Sequence, residues 1–290
     1  MCDFGPAPYG ARRQVTDPYA IREFSSLDEY LACVDLQEAT WGVGFSERVS
    51  PAILKVAQLL GGVAAGAYDA HGELAGFVFG MTGVRRGELA HWSDMLAVRP
   101  GIRDTGLGQR LKAYQRDRVR KMGVDRMYWT FDPLQSRNAH LNLTRLGAVV
   151  REYEANMYGD TDSPLHRGIG TDRFVALWEL SSARVEGRME GQSSVAPAEA
   201  GRAPFAVEAV ETGGRLRPVR NELLRSDRVA IAIPSDISAL MREGLDLAIE
   251  WRQATRVVFT HYLTRGYEVR EFERGQRASA YVLVSSPERA

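Results

Sequence analysis

The sequence predicts an α/β fold with a smaller α/β extension at its C-terminal end, and three observations lead there. Helix-like and strand-like segments alternate from about residue 19 to residue 180. An apolar run, Met95-Leu96-Ala97-Val98, ends at Arg99-Pro100-Gly101 and passes through Arg103-Asp104-Thr105-Gly106-Leu107-Gly108 into a helix-favouring segment, Gln109 to Met122. The segment Gly147-AVVREYE returns as Gly266-YEVREFE, identical at five of eight positions, and each copy follows a helical segment containing Thr-Arg.

In chain order, Tyr19 to Phe24 reads as a short strand. Ser25-Ser26-Leu27-Asp28-Glu29 then reads as the N-cap and acidic first turn of a helix running to about Ala39. Trp41 and Phe45 sit in a glycine-containing loop, as walls of a pocket or as closure of the core. Ser50-Pro51 starts a second helix, with proline at its first position, ending near Leu60. Val63–Tyr68 and Glu73–Met81 read as a hairpin around Asp69-Ala70-His71-Gly72, and a third strand begins near Leu89. Arg126–Phe131 is the next strand. Ser136 to Leu146 is a helix closed by Gly147, and Ala148–Tyr153 and Arg173–Leu180 are two further strands.

Residues 183–204 hold almost no large apolar side chain and read as a linker or surface excursion between a first domain, 1–182, and an extension, 205–290. In the extension, Phe205–Val210, Leu216–Leu224 and Val229–Pro234 are strand-like. Ser235-Asp236 caps one long helical segment reaching about Leu263, and Tyr267–Phe272 and Ala278–Val284 follow as strands. The repeated segment marks this extension as a degenerate half-copy of the first domain, and its apolar helix calls for packing against that domain.

Composition excludes several classes. Lys+Arg and Asp+Glu number 37 each, so no overall charge draws the chain to nucleic acid or an anionic membrane. With only Cys2 and Cys33 a disulfide framework is not expected, and a reducing cytoplasm fits. The five histidines are scattered, so no metal is expected. The N-terminal residues lack the apolar core of a signal peptide, and the window from Ala52 to Ala67 is too short and interrupted to span a bilayer.

Two glycines one residue apart at a helix start leave backbone N–H groups open to an anion, with the positive end of the helix dipole behind them. The third glycine of a dinucleotide fingerprint and the Gly-Lys-Ser/Thr ending of a P-loop are both missing. The order strand, Val-x-Pro, Arg-x-x-Gly-x-Gly, helix instead resembles the acyl-CoA-binding signature of the GNAT N-acyltransferases. The resemblance to long members with a C-terminal extension runs over the whole chain, with specific motifs only in the first 180 residues.

The resemblance implies a mixed, mostly antiparallel central sheet flanked by helices. It also implies acetyl-CoA or another acyl-CoA as co-substrate, and direct acyl transfer to the amine of a small metabolite. It implies that the cofactor is held by Leu96, Ala97 and Val98 of a splayed strand, by Arg103, Asp104, Thr105, Gly106, Leu107, Gly108 and Gln109 of the turn, and by Asn138 on the helix after the fifth strand. Asp94 is the candidate general base, with His91 behind it. Alternation sets Asp94 and Ala97 on different faces unless a bulge intervenes. The tyrosine that such proteins commonly use as acid is replaced by Leu143, so His140 is the candidate acid, with Tyr153 and Tyr158 as others. Tyr262, in a similar motif, belongs to the extension. The basic loop Ser163–Arg173, with His166, Arg167, Gly168 and Gly170, is a candidate for an anionic part of the acceptor or simply a long hairpin loop. Other readings are an N-succinyltransferase acting on amino acids and a non-catalytic acyl-CoA sensor. Neither nucleic acid nor membrane is an expected partner, and a homodimer is open.

Overall fold

The computed structural model describes residues 18–159, 168–192, 203–223 and 225–285. Twelve strands form one continuous sheet in the order β1-β2-β3-β4-β5-β7-β6-β11-β12-β10-β8-β9. The first half holds β1 (Ala20–Glu23), α1 (Leu27–Trp41), α2 (Pro51–Leu59), β2 (Val63–Tyr68), β3 (Leu74–Arg85), β4 (Glu88–Val98), α3 (Leu107–Arg120) and β5 (Arg126–Phe131). After them come α4, which starts as an α-helix (Ser136–Ala139) and widens into a π-helical stretch (His140–Arg145), β6 (Val149–Glu154) and β7 (Arg173–Glu179).

Local chemistry sets these elements. Ser26 and Ser50 cap α1 and α2 by accepting from Glu29 N and Ile53 N. Asp69 Oδ1 accepts from His71 N and Glu73 N, both at 2.9 Å, and closes the β2–β3 turn. Alternation along β2 divides the core. Val63, Ala65 and Ala67 pack with Leu107, Leu111 and Val119 of α3, while Ala64 packs with Tyr30, Cys33 and Leu36 of α1 and Leu54 of α2. Helices therefore cover both faces. The sheet is mixed and mostly antiparallel, as expected, with β4 and β5 the parallel pair in an otherwise antiparallel first half.

The second half holds β8 (Phe205–Thr212), β9 (Arg215–Arg220), β10 (Arg228–Pro234), α6 (Ile237–Glu243), α7 (Leu245–Leu263), β11 (Tyr267–Glu273) and β12 (Ala278–Ser285). It repeats the second part of the first half: β8 runs parallel to β10, and β10, β12 and β11 follow as β5, β7 and β6 do. The halves meet where antiparallel β6 and β11 pair Val150 with Val269. These two valines are the third residues after Gly147 and Gly266, so each faces its own counterpart across a local two-fold axis. Both strands also bulge at the fourth residue, Arg151 in β6 and Arg270 in β11.

Two expectations are corrected. Within the stretch 183–204 read as a linker or surface excursion, residues 183–189 form a helix, α5 (Ala183–Met189), capped by Ser182, with Val185 and Arg188 buried and Arg188 paired with Glu271 of β11. The single long helix expected up to Leu263 is two, broken at Gly244, whose extended backbone (φ 174°) leaves the helical region.

Side chains bind the halves together. Arg252 donates to Asp132 at 2.7 Å, with the two residues 2% and 1% exposed. Tyr281 donates to the carbonyl of Pro133 at 2.7 Å, and Arg151 pairs with Glu268. Phe174 of β7 meets Phe259 of α7 and Tyr281 of β12 edge to face.

Candidate active site

The site is built around a parting of strands. β4 and β5 are hydrogen-bonded at His91↔Met127 and Trp92↔Tyr128 and then diverge, while β4 stays paired to β3 as far as Val98. The β5-facing backbone edge from Ser93 to Val98 is thereby left open in a V-shaped cleft. Leu96, Ala97 and Val98 line one arm of it.

At the mouth of the cleft lies the glycine turn. Gly106 adopts φ +88° as the first cap of α3, a conformation that favours glycine, and no side chain caps the helix. A Cβ built on Gly106 meets nothing within 4 Å, and one on Gly108 meets only Leu96 Cδ2 at 3.8 Å. The space above the turn is thus open, and Leu107 anchors it from below with its side chain fully buried. Thr105 Oγ1 donates back to the carbonyl of Ile102 at 2.8 Å, and Arg103 Nε to that of Val98 at 3.2 Å. Asp104, at φ +66°, ties the turn to α4 through Arg137 at 2.9 Å. Asn138 lies exposed beside Arg137, and Gln109 is half-buried in the first turn of α3. The N–H groups of Leu107, Gly108 and Gln109 at this uncapped helix start, with the guanidinium groups of Arg103 and Arg137 nearby, make a turn suited to an anion.

Asp94 is the bulge residue of β4: the pairing with β3 jumps from Phe79↔Met95 to Gly80↔Ser93. Side-chain packing shows the same break in alternation. Ser93, Leu96 and Val98 face the α3 side, whereas Met95 and Ala97 face α1 and α2. Asp94 is open to solvent yet ringed by protein, and desolvation raises its pKa against the opposing effect of a hydrogen bond with the Trp92 side chain.

His91 is a core group. Thr82 Oγ1 gives its proton to the carbonyl of Gly61 at 2.7 Å, so His91 Nδ1 must donate to Thr82 at 2.9 Å. Nε2 then accepts from the Gln115 amide at 3.0 Å. Gly80 is required beside this ring, because a Cβ there would sit 2.3 Å from Nε2. Burial, helped by Lys112, pushes the His91 pKa down to about 3. A depressed folded-state value makes this group's stabilisation complete above an unfolded pKa of about 6.5, and lost as pH falls from there towards the folded value. Wild-type protein is expected to lose about 2 kcal/mol from this group by about pH 5. Urea melts of wild type and His91→Asn at neutral and acid pH would show this as a smaller acid loss in the variant; equal losses would contradict it.

His140 begins the π-helical stretch of α4. Burial and then the charges of Arg274 and Arg145 lower its pKa, and its Nδ1 is buried without a hydrogen-bond partner. Both arginines belong to the α4–extension region, and Asp94 is not among the groups that shift it. Leu143 is fully buried in the core. Tyr153 donates to Asp172 and stacks on Phe259, so it belongs to the junction of the halves. Tyr158, in contrast, is exposed and its hydroxyl lies 3.0 Å from Thr130 on the diverging arm of β5. Tyr262 is buried against Tyr267, away from solvent.

Trp41 stacks on Phe45 and meets Phe77 edge to face, so these aromatics close the core under α1. In the basic loop, residues 163–167, with His166 and Arg167, lie outside the described residues. Gly168 and Gly170 line a cavity of about 480 Å³ together with Arg252 and Arg256 of α7. Sequence reading missed Arg137 and Lys112. Arg137 carried no signal beyond its place next to Asn138, and Lys112 resembled an ordinary surface lysine. Among the described residues no cluster of metal-ligating side chains is present, and no helix is long and apolar enough to cross a membrane.

No family model and no curated protein matches this chain. Among solved structures it is similar to the ribosomal-protein-S18-alanine N-acetyltransferase of Escherichia coli (19% identity, TM-score 0.44, 57% of this chain and 96% of that one). It is also similar to an acetyltransferase of the GNAT family from Streptococcus pneumoniae (16%, TM-score 0.45, 55% and 98%). A third likeness is to Arabidopsis thaliana Naa50 in complex with the bisubstrate analogue CoA-Ac-MVNAL (15%, TM-score 0.44, 56% and 98%).

Proposed function

We propose that this chain is an acyl-CoA-dependent N-acyltransferase that passes the acyl group, acetyl in the first instance, directly to the amine of a small metabolite. One observation carries the reading: a glycine turn open to an anion stands at the mouth of a cleft whose apex lies beside a carboxylate at a strand bulge.

Acyl-CoA supplies an activated thioester, and the chain supplies its placement. The N–H groups at the start of α3 hold the pyrophosphate, and the open backbone edge of Leu96–Val98 aligns the pantetheine arm and polarises the carbonyl. Asp94 takes the proton from the attacking amine, directly or through one water. Its raised pKa brings it nearer to neutrality, where a base is most effective.

Titration calorimetry with acetyl-CoA tests the binding half of this reading. Gly108→Val adds bulk in the open space above the turn, where the protein itself offers only Leu96 at 3.8 Å. Folding should survive while affinity falls at least about tenfold, or ~1.4 kcal/mol. Wild-type affinity in the variant sinks the assignment of the turn. Thiol release from acetyl-CoA and succinyl-CoA with pooled amines tests the catalytic half, and binding without release in any pool would favour a sensor.

A further inference from the structure

Lys112 sits on the buried side of α3, one helical turn beyond Gly108, and is 2% exposed. Its Nζ donates to Ser93 Oγ at 2.7 Å, lies 3.8 Å from the centre of the Trp129 ring and 4.0 Å from Met127 Sδ. Among the described residues it pairs with no carboxylate, an expensive way to bury an amine. Its place explains the arrangement. β4 and β5 part after Trp92↔Tyr128, so Ser93 and Trp129 are the first residues of the two arms that no longer pair across to each other. The amine bridges them and closes the apex of the cleft.

We infer that Lys112 is the general acid of the acyl transfer, the group that protonates the sulfur as it leaves. The inference rests on the acyl-CoA reading above. Leu143 occupies the position where the resemblance led to a tyrosine, and it is sealed in the core, so the cleft needs its acid from elsewhere. Desolvation carries the Lys112 pKa well below the ordinary amine range, so its ammonium gives up a proton more readily than a solvated lysine's would. The other titratable groups at the apex are His91, held neutral, and Asp94 at the bulge.

The protons balance. An acceptor entering as an ammonium ion loses two protons in becoming an amide. The new C–N bond forms as the C–S bond breaks with its electron pair on sulfur. Lys112 gives that sulfur one proton and takes one of the two lost from nitrogen, by way of water. Asp94 accepts the other and returns it to solvent.

Lys112→Met tests this with readouts besides turnover. Thioether and amine are of similar length, so removal of a desolvated amine should raise Tm by a few degrees. Wild-type protein should hold bound CoA as a thiolate, visible by its ultraviolet absorption, at a pH about one to two units below the free thiol's ionisation. It should also prefer CoA to desulfo-CoA by roughly tenfold. The variant should lose both signals, and its kcat should fall roughly 10- to 100-fold with KM for acyl-CoA little changed, water serving as the poorer acid. A destabilised variant that keeps the thiolate signal would make Lys112 a strut and overturn the inference. If wild type binds neither CoA nor desulfo-CoA, the acyl-CoA reading itself falls, and this inference falls with it.

Discussion

Asp94→Asn is expected to lower kcat/KM by roughly 10²- to 10⁴-fold while leaving acetyl-CoA affinity near wild type. The amide keeps the shape of the side chain and cannot accept a proton. Asp94 stands two residues before Leu96, and the bulge places it out of step with Ser93, which turns to α3 and Lys112. Its role is therefore separable from the packing beneath it. Desolvation raises its pKa, so the acid limb of the wild-type kcat/KM profile should lie above the ordinary carboxylate range, and the variant should lack that limb. A wild-type rate in Asp94→Asn across neutral pH would remove it from the mechanism and leave positioning by Leu96–Val98 as the main source of rate.

The second large effect is on stability. Asp132→Asn should cost about 3–5 kcal/mol and lower Tm by roughly 10 °C. Burial would lower the pKa of Arg252, and the Asp132 carboxylate more than offsets this. Arg252 donates from Nε to the carbonyl of Ile169 at 3.2 Å and from Nη2 to Asp132, while Nη1 is buried without a partner. Neutralising Asp132 leaves that charge in the core with a backbone carbonyl and only the field of Asp172 to balance it. In Asp132→Asn combined with Arg252→Met, much of the loss should return, because an apolar side chain fills the space without a charge to solvate. Thermal melts of the two singles and the double decide it; strict additivity would mean that the pair is not coupled.

Much of the first half was legible because its signals are local. Ser26 and Ser50 cap helices wherever the chain goes, and the Gly106-Leu107-Gly108 turn follows a strand that only continuous apolarity could make. What escaped depends on partners distant in sequence. No residue near Asp94 marks a bulge, since it arises from the fit of β4 to β3. Lys112 is buried on α3 with Leu111 and Gln115, and its burial makes sense only once the β5 arm has swung away from β4. The π-helical widening after Ala139 likewise has no sequence mark, and it follows from closing α4 onto Leu146, whose N–H reaches the carbonyl of Leu141 at 2.9 Å. The repeat at Gly147 and Gly266 was visible as letters, but its meaning as a symmetry axis needed the pairing of Val150 with Val269.

That pairing has a bearing on mass action. An open edge at β6 would be a place for another chain to add, at a rate set by concentration. Here β11 fills it from within the same chain, at an effective concentration fixed by covalent connection rather than by how much protein the solution holds. The edges that remain are β1, which carries Arg22 and Glu23, and β9, with Arg215, Arg217 and Arg220 around Pro218, a residue with no N–H to offer. The sheet is completed by its own tail, and its two ends are dressed in charge against further growth.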